Sequence, residues 1–237
     1  MDTQELILRK ITPVIINSFN QPTFLKNIVE KFKKNGFLNI FILDNNSTYS
    51  GIAELYKQLS LEGIFILYYN ENLGPRYFHM SETSKFYFRD TPHIYTDPDL
   101  DFSELPHDFL TRLISLTEKY KISKAGCALE IPDDNVIVND LLFSREMNKY
   151  YKIREHEEQF WTNLIEDGVY RAEVDTTLHL FNPKYYASSL DFMNSVRVAS
   201  PGFIIKHLPW YKTTIIPQDE LDFYKSQQKW SNSYANI

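Results

Sequence analysis

Ile94-Tyr95-Thr96-Asp97-Pro98-Asp99-Leu100-Asp101-Phe102 reads as a short buried strand that runs into a loop bearing a carboxylate at every second position. In an extended chain, residues i, i+2 and i+4 point the same way. Asp97 and Asp99, with Asp101 as a third, are therefore placed to present oxygens to one point. Clustered carboxylates repel unless a cation or protons lie between them. Oxygen-rich sites of this kind suit Mg2+ or Mn2+, which keep part of their hydration and share their remaining positions with substrate phosphates. Taken alone, the segment reads as an acidic surface turn before it reads as a metal–diphosphate clamp, because short acidic motifs recur by chance. The surrounding chain decides between the two.

Upstream, residues 11–18 (Ile-Thr-Pro-Val-Ile-Ile-Asn-Ser) are apolar and β-branched, as in a strand buried on both faces. Phe24, Ile28 and Phe32 then recur at helical spacing, with Leu25 and Val29 beside them and Lys31, Lys33 and Lys34 on the other side. Thr23 is placed to cap this helix and Gly36 to end it. Residues 38–43 form a second apolar strand, followed by the polar run Asp44-Asn45-Asn46-Ser47-Thr48. Ile52, Leu55, Tyr56 and Leu59 mark the next helix, stopped near Gly63. Residues 64–69 form a third strand and residues 70–76 a third polar loop, and a helix over 78–88 leads into the acidic stretch. Strands and helices alternating with short connections imply right-handed crossovers and a mainly parallel sheet. Ligands of such sheets bind beyond the carboxyl ends of the strands. The three polar loops and Asp97-Pro98-Asp99 all fall on that edge, which favours the clamp.

Downstream, Phe109, Leu110, Leu113, Ile114 and Leu116 mark another helix, and residues 124–131 another strand. Residues 132–170 lose periodicity and are charged and aromatic, with Arg145, Tyr150, Tyr151, Arg154, His156, Phe160 and Trp161. A long irregular insertion in a compact domain is more often functional than idle. Strands are expected again at 174–181 and 203–205, the latter followed by Lys206-His207-Leu208-Pro209-Trp210-Tyr211, and a helix from Gln218. The expected organisation is a single domain over 1–237: a half that ends with the acidic stretch (1–105), a half that contains the irregular insertion (106–215) and a C-terminal tail (216–237).

Composition narrows the classes. The chain has 237 residues, of which 43% are hydrophobic, enough for a packed core, and a formal charge of −6. No basic run suggests nucleic acid as a partner. The single cysteine, Cys127, fits a reducing compartment. Met1-Asp2-Thr3-Gln4-Glu5 lacks the basic-then-apolar layout of a signal peptide, and no apolar run has the length of a membrane span. A cytoplasmic protein is expected, with a peripheral place at the inner face of the membrane left open.

Four segments together resemble the family 2 glycosyltransferases of the GT-A fold. Pro13-Val14-Ile15-Ile16-Asn17-Ser18-Phe19-Asn20, Ile42-Leu43-Asp44-Asn45-Asn46-Ser47-Thr48 and Asn72-Leu73-Gly74-Pro75 look like the family's first three nucleotide-site segments, in order. Asp97-Pro98-Asp99 looks like its metal-binding motif. Val174-Asp175-Thr176-Thr177 and His207-Leu208-Pro209-Trp210-Tyr211 resemble segments of bacterial polysaccharide and lipooligosaccharide transferases. The resemblance implies an α/β GT-A fold, a mixed and mainly parallel sheet flanked by helices. It also implies a metal-dependent, inverting glycosyltransferase of hexosyl or N-acetylhexosaminyl type. Such an enzyme would take a nucleotide-sugar donor, a UDP-sugar first, use Mn2+ or Mg2+, and act on a glycan or lipid-linked acceptor. In that reading Asp44 binds the base or ribose, the backbone of Asn17, Ser18 and Phe19 lies along the base, and Asn72 belongs to the third nucleotide segment. Arg76 approaches the base or diphosphate. Asp99 ligates the metal, Asp97 assists it or touches the ribose, and His207 completes the site. Phe19 stands where tyrosine is commoner, Asn46 where glycine is commoner, and Glu173-Val174-Asp175 where the family has an adjacent Glu-Asp pair.

Glycosyl transfer also needs a base for the acceptor hydroxyl. Asp175, opening a strand after the irregular insertion, is the candidate, with Glu173 as its rival and a cap or ion pair as the plain alternative. His207 is a metal ligand or a satisfied structural histidine, and Trp210 and Tyr211 stack on a sugar or fill the core. The competing function is a catalytically silent nucleotide-sugar or glycan-binding module on the same fold. A dinucleotide-dependent oxidoreductase is disfavoured, since no Gly-x-Gly-x-x-Gly follows the first strand.

Overall fold

The computed structural model describes residues 1–138, 140–144, 149–187 and 194–227. In chain order its elements are α1 (Thr3–Ile11), β1 (Val14–Ser18), α2 (Pro22–Lys34), β2 (Ile40–Asp44), α3 (Ile52–Leu61), β3 (Phe65–Tyr68), α4 (Glu82–Phe88), β4 (His93–Thr96), β5 (Leu100–Asp101) and α5 (Phe109–Tyr120). There follow β6 (Lys124–Leu129), β7 (Leu141–Ser144), β8 (Lys149–Lys152), α6 (Ile153–Glu158), β9 (Leu164–Glu166), β10 (Val169–Arg171), β11 (His179–Phe181), β12 (Ser195–Val198), β13 (Ile204–His207) and α7 (Gln218–Gln227).

The sheet runs β3-β2-β1-β4-β11-β6-β12-β10-β9. Its first four strands are mutually parallel, with Val14 opposite both Ile40 and Ile94. β11 is inserted antiparallel between β4 and β6, and β12 returns parallel to β6. The mixed α/β architecture expected from the sequence, a central sheet flanked by helices, is the one observed. β1 is buried along its whole length, which explains why its sequence is a continuous apolar run rather than an alternating one. The larger core packs Leu25, Ile28 and Phe32 of α2, Leu55 of α3 and Phe109 and Leu113 of α5 against one face of the sheet. A smaller, aromatic cluster of Ile15, Leu43, Phe78, Phe88 and Tyr95 covers the other face.

Several local expectations change. α1 was not foreseen; Asp2 caps it by accepting from the Glu5 amide, and Glu5 in turn accepts from the Leu110 and Thr111 amides at the start of α5. A carboxylate placed there satisfies donors that the helix leaves open and faces the positive end of its dipole. Thr23 does not cap α2. Pro22 takes the first helical turn, and Glu220 of α7 accepts from the Thr23 amide and hydroxyl instead. The helix expected over 78–88 is split at Ser81, which caps α4 through the Ser84 amide. The irregular insertion contains two hairpins, β7–β8 and β9–β10, with α6 between them. The strand expected over 174–181 is confined to β11, so Asp175 lies in the loop that precedes it, and β12 was missed. Arg145 and the end of the tail, residues 228–237, lie outside the described residues. Among the described residues, no helix is long and apolar enough to cross a membrane.

Candidate functional site

A hydrogen-bonded chain of side chains links the carboxyl ends of the parallel strands. At the end of β1, the Asn17 oxygen accepts from the Asn45 amide nitrogen at 2.5 Å, and the Asn17 nitrogen points to Asp97 Oδ1 at 3.4 Å. Asn45, just past β2, accepts in turn from the Leu73 backbone amide at 3.3 Å. Asp97, just past β4, accepts from the Thr176 hydroxyl at 2.5 Å, and its own amide donates to the Thr176 carbonyl at 3.1 Å. The acidic stretch therefore shares one crevice with the ends of β1 and β2, with the loop after β3 and with the segment before β11.

The alternation of the three carboxylates does not persist. The chain bends at Pro98 and Asp99, and β5 carries Asp101 to an ion pair with Lys31 of α2 at 2.6 Å. Asp101 thus plays the surface role that was the plain reading of the motif.

Asp97 and Asp99 remain at the crevice with unequal surroundings. Burial raises the Asp97 pKa to about 7, with the Asp99 charge adding to it and the Thr176 hydroxyl opposing. Asp99 is 8% exposed, and its Oδ1 accepts no hydrogen bond among the described residues. That oxygen faces His207 Nε2 at 3.5 Å, an ionic contact longer than an ordinary hydrogen bond. Burial acts to lower the His207 pKa, but the carboxylates of Asp99, Asp97 and Glu157 together outweigh it, so the net shift is upward. β13 pairs with β5, placing His207 opposite Leu100, and the Leu208 amide donates to the Asp99 carbonyl at 2.8 Å. Among the described residues, no three His, Cys, Asp or Glu side chains stand close enough to hold a metal between them. Asp99 and His207 could offer a cation two ligands, with Asp97 bound to Thr176 beside them. Few protein ligands and an open remainder suit Mg2+ or Mn2+, which complete their shells with water and phosphate oxygens.

At the β2 end, Asp44 is 3% exposed and its carboxylate already accepts from the Tyr56 hydroxyl at 2.6 Å and from the Ser47 amide at 3.2 Å. The Ser18 hydroxyl meets the same Tyr56 oxygen at 3.2 Å. Asn46 adopts φ +61°, the left-handed region that glycine reaches without cost and asparagine tolerates best among the others. That geometry explains why glycine would be the ordinary choice there. Asp44, Asn46, Ser47, Tyr56, Tyr68 and Asn70 line a cavity of about 520 Å3. The Asn72 oxygen accepts from the Gly74 amide and shapes the loop that carries Arg76. The Phe19 ring packs on Tyr224 of α7, with centroids 6.3 Å apart.

Arg76 and Asp175, expected on donor and acceptor sides, hold each other. Arg76 Nε and Nη2 donate to the two Asp175 oxygens, each at 2.8 Å. Glu173 is exposed, and its carbonyl accepts from Arg197 Nε at 2.7 Å. Arg197 also forms a buried ion pair with Glu157 of α6 at 2.6 Å, which ties the insertion to this corner. Lys124, fully buried at the start of β6, donates from Nζ to the Val174 carbonyl and, at 3.4 Å, to that of Asp175. Trp210 and Tyr211 are buried, Trp210 edge-on to His207 at 4.6 Å and Tyr211 donating to Glu130, so both belong to the core. Arg154 pairs with Asp134, and Trp161 packs on Tyr170 at 5.6 Å.

Sequence reasoning missed Lys124, Thr176 and Arg197. It also missed three buried histidines, His79, His93 and His179, on the aromatic face of the sheet. Only the polar residues set in the apolar runs of β4, β6 and β12 hinted at any of them.

No family model matches the chain, and no curated protein does. Among solved structures it is similar to S. aureus TarS residues 1–349, with 10% identity and a TM-score of 0.45 over 90% of this chain and 62% of that one. A second S. aureus TarS structure gives 12% identity and a TM-score of 0.40 over 91% of this chain and 38% of that one. A Bacillus anthracis protein assigned as a glucose-1-phosphate thymidylyltransferase, solved with a sucrose, gives 11% identity and a TM-score of 0.35 over 92% and 75% of the two chains. The chain spans less than two thirds of the length of the TarS chains it matches. At TM-scores below 0.5, the functional reading rests on the geometry of the crevice itself.

Proposed function

We propose that the crevice binds a nucleotide-diphosphate sugar and that the chain is a metal-dependent glycosyltransferase of the GT-A, family 2 type. One observation carries this reading: a buried carboxylate oxygen, Asp99 Oδ1, without a hydrogen bond, beside His207 and a second carboxylate, at the carboxyl edge of a parallel sheet. A buried carboxylate oxygen that accepts no hydrogen bond and has only a 3.5 Å ionic contact to His207 is incompletely compensated, and a cation at that oxygen would complete it.

Asp99 and His207 would hold the ion, with Asp97 assisting. Bound there, Mn2+ or Mg2+ supplies positive charge against the diphosphate as the glycosidic bond breaks. The cavity beside Asp44 is proposed for the nucleobase, with UDP the first candidate, and the Asn17-Ser18-Phe19 backbone and Asn72 as its neighbours. Arg76, with a planar fork, suits a phosphate oxygen as well as it suits Asp175. Asp175 takes the proton from the acceptor hydroxyl. That oxygen bonds to the anomeric carbon, the bond from that carbon to the diphosphate breaks, and the nucleoside diphosphate departs with the electron pair. A single displacement of this kind inverts the anomeric centre. The acceptor class is a glycan or a lipid-linked sugar, received on the side of the insertion that Arg197 ties down.

Thermal stabilisation by UDP, GDP, CDP and dTDP, each with and without Mn2+, tests the proposal. A ligand at about a hundred times its Kd adds about 2.7 kcal/mol to the folded state, or about 5–10 °C in Tm for a chain of this size. One diphosphate is expected to stabilise the wild type only with Mn2+, and Asp99→Ala, folded, is expected to lose that response. An equal response in Asp99→Ala would overturn the proposal. Binding of the matching nucleotide sugar without turnover on any acceptor or water would make the chain a binding module.

A further inference from the structure

Residues 172–178 are not part of a strand, yet they carry Asp175 and Thr176 into the crevice. Two features of β6 fix where they run. Gly126 has no Cβ; one built there would stand 2.9 Å from Val174 Cγ1, 2.8 Å from His179 Cβ and 3.0 Å from the Leu178 carbonyl oxygen. The segment can therefore lie flat on β6 only because that position is glycine. Lys124, one turn of the pleat away on the same face, then reaches up to the carbonyls of Val174 and Asp175. From the other side, the Ser195 hydroxyl accepts from the Val174 amide at 2.8 Å and donates to the Ala172 carbonyl at 2.9 Å.

A lysine is an expensive choice for the middle of a sheet. Lys124 is 0% exposed, and burial brings its pKa down to about 7, with the Asp175 charge opposing. An aliphatic side chain would pack there without that cost, but it would take this donor from the buried Val174 carbonyl and from the part-buried Asp175 carbonyl.

We propose that Lys124 is a positioning residue for the reaction: by holding the carbonyls of Val174 and Asp175 against β6, it sets the Asp175 carboxylate and the Thr176 hydroxyl at the crevice. This rests on the transferase reading. Lys124 itself touches neither donor nor acceptor in it. Its effect passes through the backbone of the segment to Asp175 and, through the contacts of Asp175 with Arg76 and of Thr176 with Asp97, to the donor side as well.

The test uses Lys124→Met and, independently, Gly126→Ala, which pushes the same segment off β6 without touching a charge. Hydrogen exchange is followed over 172–178, and Mn2+-dependent release of UDP from UDP-glucose and UDP-N-acetylglucosamine is measured per folded molecule. Exchange in the segment is expected to rise about tenfold in either variant that folds, with β1–β4 unchanged. kcat is expected to fall by about tenfold to a hundredfold because the base is displaced, and KM for the donor to rise as Arg76 and Asp97 lose the partners that the segment supplies. Lys124→Gln, which keeps a neutral donor, is expected to recover part of kcat. Unchanged exchange in Lys124→Met would overturn the inference whatever the activity. Faster exchange with unchanged kcat would reduce Lys124 to a structural residue and overturn it too, leaving the transferase reading intact. No turnover by the wild type with any nucleotide sugar would instead sink the transferase reading, and this inference with it.

Discussion

The buried histidines on the aromatic face make the protein acid-sensitive in a way that one substitution isolates. His93 is 0% exposed, with its ring 5.7 Å from Phe78, 5.5 Å from Phe88 and 5.2 Å from Phe181. Nδ1 faces the Thr91 carbonyl at 2.9 Å, and Nε2 has no partner among the described residues. Burial pushes the pKa down to about 4, against a weaker upward pull from that carbonyl. An unfolded histidine titrates near 6.5. Above that pH both states are neutral at His93 and its contribution to stability is complete. Between about 6.5 and 4 the unfolded chain takes up a proton that the folded one refuses, so stability falls as the pH falls, by about 1.4 kcal/mol per unit and about 3 kcal/mol over the window. His79 and His179, both lowered by burial, act in the same direction. Asp97 acts in the opposite one: its raised pKa makes the folded state the better proton acceptor between about 4 and 7, so its contribution grows as the pH falls. The curve of the whole protein mixes these signs. The difference between wild type and His93→Phe does not, since phenylalanine suits the aromatic cage and does not titrate. Urea unfolding at several pH values between about 7 and 4.5 is the assay. The stability difference should swing by about 2–3 kcal/mol in favour of the variant toward the acid end. Parallel curves across that range would refute the assignment of His93 as a neutral, buried histidine.

Two further substitutions probe buried carboxylates outside the crevice. Glu5→Gln leaves the Arg9 guanidinium, 1% exposed and 2.8 Å from the Glu5 oxygen, without its counter-charge, and should cost about 3–5 kcal/mol in a urea titration. A loss below about 1 kcal/mol would show that the pair is not the anchor joining α1 to α5. Glu220→Ala removes the acceptor for the Thr23 amide at 3.2 Å and hydroxyl at 2.6 Å. Burial already disfavours the Glu220 charge, so the cost should be modest, about 1–2 kcal/mol, but local: limited proteolysis within α7 should accelerate while β1–β4 stay protected. Unchanged cleavage of α7 would mean that Phe19, Phe24 and Tyr224 hold the helix without the carboxylate.

How much of this was legible in the sequence depended on whether a feature was local. β1, β2, β3 and β4 announce themselves as apolar runs, although β3 at the sheet edge is largely exposed, and α2, α3 and α5 announce themselves through their spacing, because burial on one side of a helix imposes its period on the sequence. The crevice followed from topology alone, since parallel strands place their carboxyl ends together. What failed was whatever a distant partner decides. Thr23 looks like a cap but takes its partner from α7, far along the chain. Asp101 continues the alternation of Asp97 and Asp99 in sequence, yet Pro98 breaks the geometry that would make alternation matter. Lys124 reads as a solvent-facing lysine at the start of a strand, because nothing nearby reveals that Val174 and Asp175 will lie over it. Asp2 and Glu5 could have marked α1, as an N-cap and an acidic first turn, but its exposed Leu6, Ile7 and Ile11 blur the amphipathic pattern.

The crevice distributes charge unevenly, and that unevenness argues for where a cation belongs. At the segment before β11, cationic groups are well supplied: Arg76 binds both Asp175 oxygens, Lys124 and Arg197 bind backbone carbonyls, and Glu157 neutralises Arg197. A short distance away, the Asp97 pKa is raised by burial and by its neighbour, and Asp99 keeps a buried oxygen without a hydrogen bond. A chain that can place lysine and arginine so closely on one side of a crevice is not short of ways to neutralise the other. Among the described residues, Asp99 Oδ1 has a histidine at 3.5 Å and no hydrogen bond, which costs folding free energy that a lysine in place of that histidine would recover. Sequences tend to break such local rules where function requires it, because a site already neutralised by its own side chains has no affinity left for a ligand. The incomplete compensation of Asp99 is therefore what supports the proposed cation site, and Arg76, which holds Asp175, is the group that a diphosphate would share with it in that proposal.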